Sequence, residues 1–182
     1  MKCIVSLVDM CVAKGYITQD QAPWLYYGME RRVSTVIVSI PMLIIGSLVS
    51  SPATSIAFYI SFCSLRTRTN GIHAKTLVGC LIVSTLSEII FLGFLPYIFN
   101  DTVATALLIT SAISIFILAP YNHPNMDLSD EEAKACAKSA KKRLFILILL
   151  LIILYVIQLE QLATGILLGI VMVAVTLTLA YI

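Results

Sequence analysis

Long apolar runs separated by short polar stretches dominate the pattern of this chain. A helix needs roughly 20 residues to cross the hydrocarbon core of a bilayer, and five of the runs come close to that length. The second run, with about 13 residues, is short enough to be tilted, re-entrant or extended by Arg66, whose long side chain can snorkel to the membrane surface. We therefore predict an all-α, polytopic integral membrane protein with about six hydrophobic segments. They lie at approximately 33–50, 53–65, 77–98, 103–119, 144–159 and 162–182.

Composition extends the membrane prediction to the whole chain of 182 residues. Hydrophobic residues make up 59% and charged residues 12%, against roughly 45–50% and 25% in soluble domains. The mean hydropathy is +0.98. Too few charged side chains are present to cover a soluble domain, so we treat 1–182 as a single membrane-embedded domain. The net charge of +2 gives no reason to expect a nucleic-acid partner.

The placement of the basic residues predicts the orientation. All of them lie before the first segment, between the second and third, or between the fourth and fifth. If the short second segment crosses fully, the twelve fall on one side, which the positive-inside rule makes cytoplasmic. Both termini and the loops 66–76 and 120–143 of this predicted cell-membrane protein then face the cytoplasm. The basic residues are Lys2, Lys14, Arg31, Arg32, Arg66, Arg68, Lys75, Lys134, Lys138, Lys141, Lys142 and Arg143.

Residues 1–32 have the pattern of amphipathic interfacial helices. After Gly15, Thr18 and Gln21 have the spacing of a capping box that opens a second short helix. Aromatic residues near its end suit the membrane–water boundary. The region either anchors the chain at the lipid surface or acts as a gate or substrate contact. The apolar stripe of 1–14 consists of Ile4, Leu7, Val8, Cys11 and Val12.

The loop 120–143 is the longest polar stretch. Ser129 and Glu132 have capping-box spacing, and acidic residues fill the first turn, where the helix dipole favours them. Nothing breaks the helix before the fifth segment, so it should project about 20 Å beyond the bilayer. One stripe of it either maintains orientation or docks an acidic peptide. That stripe is Lys134, Lys138, Lys141 and Lys142.

Common catalytic patterns are missing from the sequence. It has no H-E-x-x-H, G-x-S-x-G or Walker sequence. Its two histidines, 50 residues apart, cannot supply a three-histidine zinc site. Five cysteines without a pairing pattern argue against a disulfide framework. We therefore predict no metal and no cofactor.

The stretch 66–80 is the remaining candidate for chemistry. It is a loop that enters the third segment and contains His73 and Cys80. A nearby imidazole is the usual means of making a thiolate nucleophile, and a helix N-terminus favours the anion. Taken alone, Cys80 is more simply a core cysteine and His73 a loop histidine.

Together these residues resemble the accessory gene regulator B family, the membrane cysteine endopeptidases of bacterial peptide quorum sensing. The family pattern is matched by Arg66, Gly71, His73 followed by alanine, and Cys80, with six residues between the histidine and the cysteine. A second match is 119–125, followed by the charged helix. The likeness covers nearly the whole chain. Asn70 departs from the glycine that many members have.

The resemblance implies cleavage of a small autoinducer precursor peptide near its C-terminal end. Cys80 would form a thioester, which a cysteine or serine of the peptide displaces to close a thiolactone or lactone. His73 would act as base and later proton donor, Arg66 as an electrostatic or structural partner, and Gly71 would permit a tight loop. The family also implies a homodimer. The rival hypothesis is a small membrane peptide exporter that cuts nothing.

Glu88 lies midway along the third segment, eight residues after Cys80. A carboxylate inside a membrane is costly enough to suggest a function. Its role is either a structural hydrogen bond or a contact with substrate or catalytic groups. Asn122 and His123 are weaker candidates for a third catalytic residue, because a loop turn explains them as well.

Helix geometry constrains the pairing of His73 with Cys80. On one straight helix the two would be about 10 Å apart along the axis, too far for a hydrogen bond. We therefore predict that the helix with Cys80 starts after His73, or that His73 serves Cys80 of another subunit. A straight helix through 66–80 is incompatible with the active form.

Overall fold

A computed structural model describes residues 2–69, 77–98, 100–121 and 129–181. The structure is 91% helical, and the described residues contain no strand. The prediction of an all-α chain is therefore confirmed. The α-helices are α1 (Lys2–Ala13), α2 (Ala22–Val49), α3 (Pro52–Thr69), α4 (Leu77–Ile89), α5 (Asp101–Leu118), α6 (Asp130–Val156) and α7 (Glu160–Thr178).

Four helical stretches are long and apolar enough to cross a membrane: Gln19–Val49, Val78–Tyr97, Asp101–Leu118 and Glu160–Tyr181. They fit a multi-pass membrane protein, as predicted. Helix α3 is longer than the predicted 53–65, since it begins at Pro52 and runs through Arg66 to Thr69. Four residues predicted as loop are therefore helical. That α3 and α6 also cross stays a prediction.

The chain divides into two compact units, Met1–Pro41 and Met42–Ile182. In the first, Ile4 and Val8 of α1 are buried, as the predicted stripe requires, whereas Leu7 is exposed. Val8 and Tyr26 line one open groove between α1 and the start of α2. The capping box forms where predicted, with the Thr18 amide donating to Gln21 Oε1 at 3.1 Å.

The capping box opens one turn of 3-10 helix, Gln19–Gln21, which leads directly into α2. Helix α2 then continues without a break from Ala22 to Val49. Pro23 stands in its first turn, where a missing amide hydrogen costs nothing, and Gly28 weakens a helix by only about 1 kcal/mol. The short helix predicted here is therefore continuous with the first apolar segment, and the division of the domain at residue 32 stays a prediction.

The centre of the second unit is the interface of α3 with α7. A Cβ atom on Gly165 would collide with the Thr54 carbonyl, and one on Gly169 would lie 2.9 Å from the Phe58 carbonyl oxygen. Small residues at such a crossing let two helix backbones approach closely. Phe58 and, across the interface, Leu168 are fully buried. Helices α5 and α6 pack beside this pair.

Hydrogen bonds join several helix ends at one end of this unit. The Tyr121 amide, just after α5, donates to the Thr69 carbonyl at 2.9 Å. The Tyr181 hydroxyl, just after α7, donates to the Leu118 carbonyl at 2.8 Å. Arg143 of α6 reaches the same end of α3. We call this the basic end, since it also includes Arg66.

The other end of the unit has a different character. The Ser51 hydroxyl donates to Gln161 Oε1 at 3.2 Å, which joins the starts of α3 and α7. The Tyr155 hydroxyl contacts Asp101 Oδ1 at 3.5 Å, which joins the end of α6 to the start of α5. The described basic residues of the second unit lie on α3 and α6 near the basic end. The alternation of charge along the sequence therefore matches the two ends of the bundle.

Helix α6 begins as the sequence predicts. The Ser129 amide donates to Glu132 Oε2 at 3.0 Å and the Glu132 amide donates to the Ser129 hydroxyl at 3.3 Å. The bonds that the Ser129 amide and the Ser129 hydroxyl donate to Glu132 Oε2 lower the pKa of this exposed carboxyl. The helix then runs unbroken from Asp130 to Val156, so the predicted continuity of the polar helix with the fifth segment is confirmed.

Candidate functional site

Part of the predicted site lies outside the described residues. Gly71 and His73 belong to 70–76, and Asn122 and His123 belong to 122–128. The distance from His73 to Cys80 therefore stays a prediction, as does the choice between pairing within one chain and between two.

Cys80 lies in the first turn of α4, which begins at Leu77. It is a free, half-buried cysteine. Its Sγ is 4.0 Å from the hydroxyl of Ser84, one turn further along the same face. The partial positive charge at a helix N-terminus stabilises a thiolate. The position therefore suits a nucleophile that is reached from the basic end.

Arg66 approaches Cys80 from a different helix. It stands in the last turn of α3 and is half-buried. Burial lowers the pKa of Arg66 to about 10, and the negative charge of an ionised Cys80 opposes that shift. Two residues of the predicted pattern, 14 positions apart in sequence, are thus close enough for their charges to interact.

Helices α3 and α4 run in opposite directions. Ser55 of α3 and Glu88 of α4 both flank Gly46 of α2, whereas on one straight helix they would be about 50 Å apart. One straight helix from Ser55 to Glu88 is therefore excluded, but residues 70–76 lie outside the described residues, so the predicted start of the Cys80 helix after His73 stays a prediction.

Glu88 is completely buried. A Cβ atom on Gly46 would lie 2.5 Å from Glu88 Oε1, would collide with the hydroxyl of Ser55, and would lie 3.1 Å from a methyl of Leu92. Within the part of the chain that the structure describes, neither carboxyl oxygen of Glu88 has a hydrogen-bond partner, and nor has Ser55 Oγ. The predicted intramembrane carboxyl group therefore sits in a small polar pocket formed by three helices.

The predicted lysine stripe of α6 divides into two parts. Lys134, Lys138 and Lys142 are exposed. Lys141 is half-buried, and its ammonium group lies 4.0 Å from the centre of the Phe116 ring on α5, a cation–π contact. Three of the four lysines can therefore meet a soluble partner, while the fourth helps to hold α6 against α5.

Arg143 is a functional candidate that the sequence analysis counted only as a charge. Its guanidinium donates to the Ser64 carbonyl at 2.6 Å and to the Thr67 hydroxyl at 2.9 Å. Both acceptors flank Arg66 in the last turns of α3. An arginine where a basic run meets an apolar one could have indicated this role, because a guanidinium offers several donors in a rigid fork.

No three histidine, cysteine or acidic side chains within the described ranges converge on a possible metal site. At the basic end, Cys80 offers a thiol nucleophile and Arg66 a positive charge close to it. Together they suit attack on a carbonyl group by a thiolate.

Comparison with known proteins agrees with this geometry. The family model described as Accessory gene regulator B matches residues 4–177. Searches of the curated proteins and of the solved structures return no match. The family match spans α3, α4 and the whole basic end. The chain belongs to the accessory gene regulator B family, and so has a role in the agr quorum-sensing system, where this family is linked to autoinducer peptide processing.

Proposed function

We propose that the protein is a membrane cysteine endopeptidase that cleaves a small autoinducer precursor peptide and enables its cyclisation. The observation that carries the proposal is the position of Cys80, at the start of a helix and within charge-interaction range of Arg66. Family membership adds the pattern in which both residues occur. The rival hypothesis, a peptide exporter without proteolysis, gives no reason for an arginine beside a thiol.

The proposed reaction proceeds in two acyl transfers. Cys80 Sγ attacks the scissile carbonyl, His73 accepts the thiol proton, and the same histidine protonates the leaving amine. A cysteine or serine side chain of the bound peptide then attacks the thioester and releases Cys80. For a cysteine, one thioester replaces another, so little bond energy is lost and no nucleotide is needed.

Arg66 contributes electrostatically in this proposal. Its positive charge favours the thiolate form of Cys80, and the N-terminal end of α4 acts in the same direction. Gly71 permits the turn that brings His73 to the thiol. The basic end faces the cytoplasm under the positive-inside rule, so the precursor is cut on the side where it is synthesised.

The exposed lysines of α6 are the proposed contact for an acidic part of the peptide. Lys134, Lys138 and Lys142 stand free of the bundle, where a charged segment can approach them. Helix α1 is the proposed contact with the lipid surface. A homodimer, which the family resemblance implies, would allow His73 of one subunit to serve Cys80 of the other.

Replacement of the nucleophile tests the proposal. Purified protein in liposomes is incubated with the precursor peptide, and the cleaved and cyclised products are quantified by mass spectrometry. Cys80→Ala should abolish cleavage, because no other side chain replaces the thiolate. The matched control changes Cys3, Cys11, Cys63 and Cys136 to alanine together and should stay active. Full cleavage by Cys80→Ala would refute the mechanism.

Mixing two inactive variants tests the pairing. Subunits with His73→Ala are combined with subunits with Cys80→Ala. Activity of the mixture requires a site shared between chains, whereas an inactive mixture places both residues in one chain. Export of uncut peptide by the wild-type protein would instead favour the exporter hypothesis.

A further inference from the structure

Two buried polar groups face each other in the pocket around Gly46. Glu88 and Ser55 are both completely inaccessible to solvent, and their side-chain oxygens have no hydrogen-bond partner among the described residues. Burying a carboxyl or hydroxyl group without a partner is strongly unfavourable. Ser55 Oγ and Glu88 Oε1 both lie close to the position that a Cβ atom on Gly46 would take. A hydrogen bond between the two groups would therefore satisfy both of them.

The surroundings leave few other candidates. The third neighbour of the Gly46 position is a methyl group of Leu92. A neutral carboxylic acid that donates to a hydroxyl oxygen satisfies both groups without any counter-ion.

Ser55 and Glu88 lie on the two helices that form the candidate site. Ser55 precedes Arg66 by 11 residues on α3, and Glu88 follows Cys80 by eight on α4. Because the two helices are antiparallel, a link between Ser55 and Glu88 lies about two to three turns deeper than the pair Arg66 and Cys80. Such a link sets how far α4 slides or rotates relative to α3.

The end of helix α4 is irregular close to Glu88. Immediately after Glu88, α4 changes to a π-helical segment, Ile90–Phe94, a feature that often marks functional positions. Within it, a Cβ atom on Gly93 would lie 2.8 Å from a methyl of Val49. Side-chain packing against Gly46 and against Gly93 therefore leaves little room for a larger residue at either position.

We propose that Glu88 is a positioning residue, whose carboxylic acid joins Ser55 by a hydrogen bond, direct or through one water molecule, and holds Cys80 in place relative to Arg66. A bridging water is as effective as a direct bond when the two groups are slightly too far apart. The proposal rests on the proposed function of Cys80. It assigns Glu88 no contact with the peptide.

The experiment measures Cys80 directly as well as turnover. In a chain where Cys80 is the only cysteine, its alkylation rate by iodoacetamide is measured in liposomes beside kcat and KM for the precursor. Glu88→Leu and Ser55→Ala should each change the alkylation rate and lower kcat by roughly fivefold, the worth of about one hydrogen bond, with KM unchanged. Glu88→Gln keeps a donor and should stay within about twofold of the parent.

A double variant and a glycine pair sharpen the test. Glu88→Leu combined with Ser55→Ala should be no worse than the poorer single variant, because one link is lost only once. Gly46→Ala, which inserts a methyl between the two groups, should have the same effect. The controls are Gly28→Ala, where an added Cβ meets nothing within 4 Å, and Ser114→Ala, whose hydroxyl bonds within its own helix.

Each remaining outcome contradicts the proposal in a recognisable way. Additive effects of the two single variants would mean that Glu88 and Ser55 act separately. A raised KM with unchanged alkylation would make Glu88 a substrate contact. Lower thermal stability with unchanged alkylation would make it merely structural. If Glu88→Leu does not fold, the Cys80 alkylation rates and kcat values of Ser55→Ala and Gly46→Ala test the proposal in its place. Cleavage by Cys80→Ala would refute the proposed function but leave the alkylation comparison valid.

Discussion

Helices α7 and α4 are both apolar enough to cross a membrane, yet the rest of the chain encloses them very differently. In α7, 67% of the most apolar window is buried, against 11% in α4. Helix α7 has α3, α5 and α6 around it, whereas most of α4 presents apolar side chains outward. The helix with Cys80 is therefore held to the bundle at few places, and each of those places matters more.

The two helices also use different means of attachment. The contact of α7 with α3 depends on glycines and close backbone approach, which are independent of protonation or ligand. The contact of α4 with α2 and α3 includes the carboxyl group of Glu88, which is favourable only when it is partnered. Helices α3 and α7 thus form a rigid frame. Helix α4, which contains Cys80, is the chemical element, and its position relative to the frame is adjustable.

The largest expected effect concerns the frame. A Cβ atom on Gly169 would collide with the Ser61 hydroxyl and press on the Phe58 carbonyl, so Gly169→Ala forces α3 and α7 apart. We expect a loss of about 1–3 kcal/mol in the free energy of unfolding, as for other overpacked cores. Thermal unfolding in detergent, followed by circular dichroism, measures it. Gly28→Ala is the matched control and should stabilise α2 by up to about 1 kcal/mol. Equal behaviour of the two variants would contradict the distinction between frame and chemical element.

Which parts could be predicted follows from the range of the interactions. The capping boxes at Thr18 and Ser129 were predictable because they depend on residues three positions apart. The apolar segments were predictable because hydropathy alone determines them. The length of α3 was only partly predictable: extension by Arg66 was one of three alternatives for the short second segment, and the packing of α3 against α6 and α7 accompanies a helix that runs on to Thr69.

The parts of the site that sequence reasoning missed depend on distant partners. Ser55 and Glu88 are 33 residues apart, and nothing in the pattern of either helix indicates that they share a pocket around Gly46. Likewise, the four lysines of α6 look equivalent in sequence, and only the Phe116 ring distinguishes Lys141. The proximity of Arg66 to Cys80 was anticipated from the family pattern rather than from periodicity.

An intermediate effect is expected at the junction of frame and site. Arg143 joins α6 to the last turns of α3 through two hydrogen bonds. Arg143→Gln removes a charged donor and should cost about 1–2 kcal/mol of stability, with a lower kcat because Arg66 shares that turn. Arg143→Lys should recover only part of this, since an ammonium group lacks the forked geometry. Lys142→Gln, at the exposed neighbouring position, is the control. Complete recovery by lysine would show that only the charge matters.

The smallest effect per residue is expected at the exposed lysines, which belong to neither the frame nor the chemical element. Changing Lys134, Lys138 and Lys142 together to glutamine should raise KM roughly three- to tenfold at low salt and leave kcat nearly unchanged, because exposed charges contribute less than about 1 kcal/mol each. Lys141→Gln should leave KM as it is, since its ammonium group is engaged with Phe116.

The wild-type KM should itself rise with ionic strength as the charges are screened, until the triple variant and the wild type converge. Orientation in the liposome is verified first by protease protection of the two termini, because the same lysines are predicted to set the topology. A wild-type KM that does not depend on salt would exclude peptide docking and leave orientation as the role of the stripe.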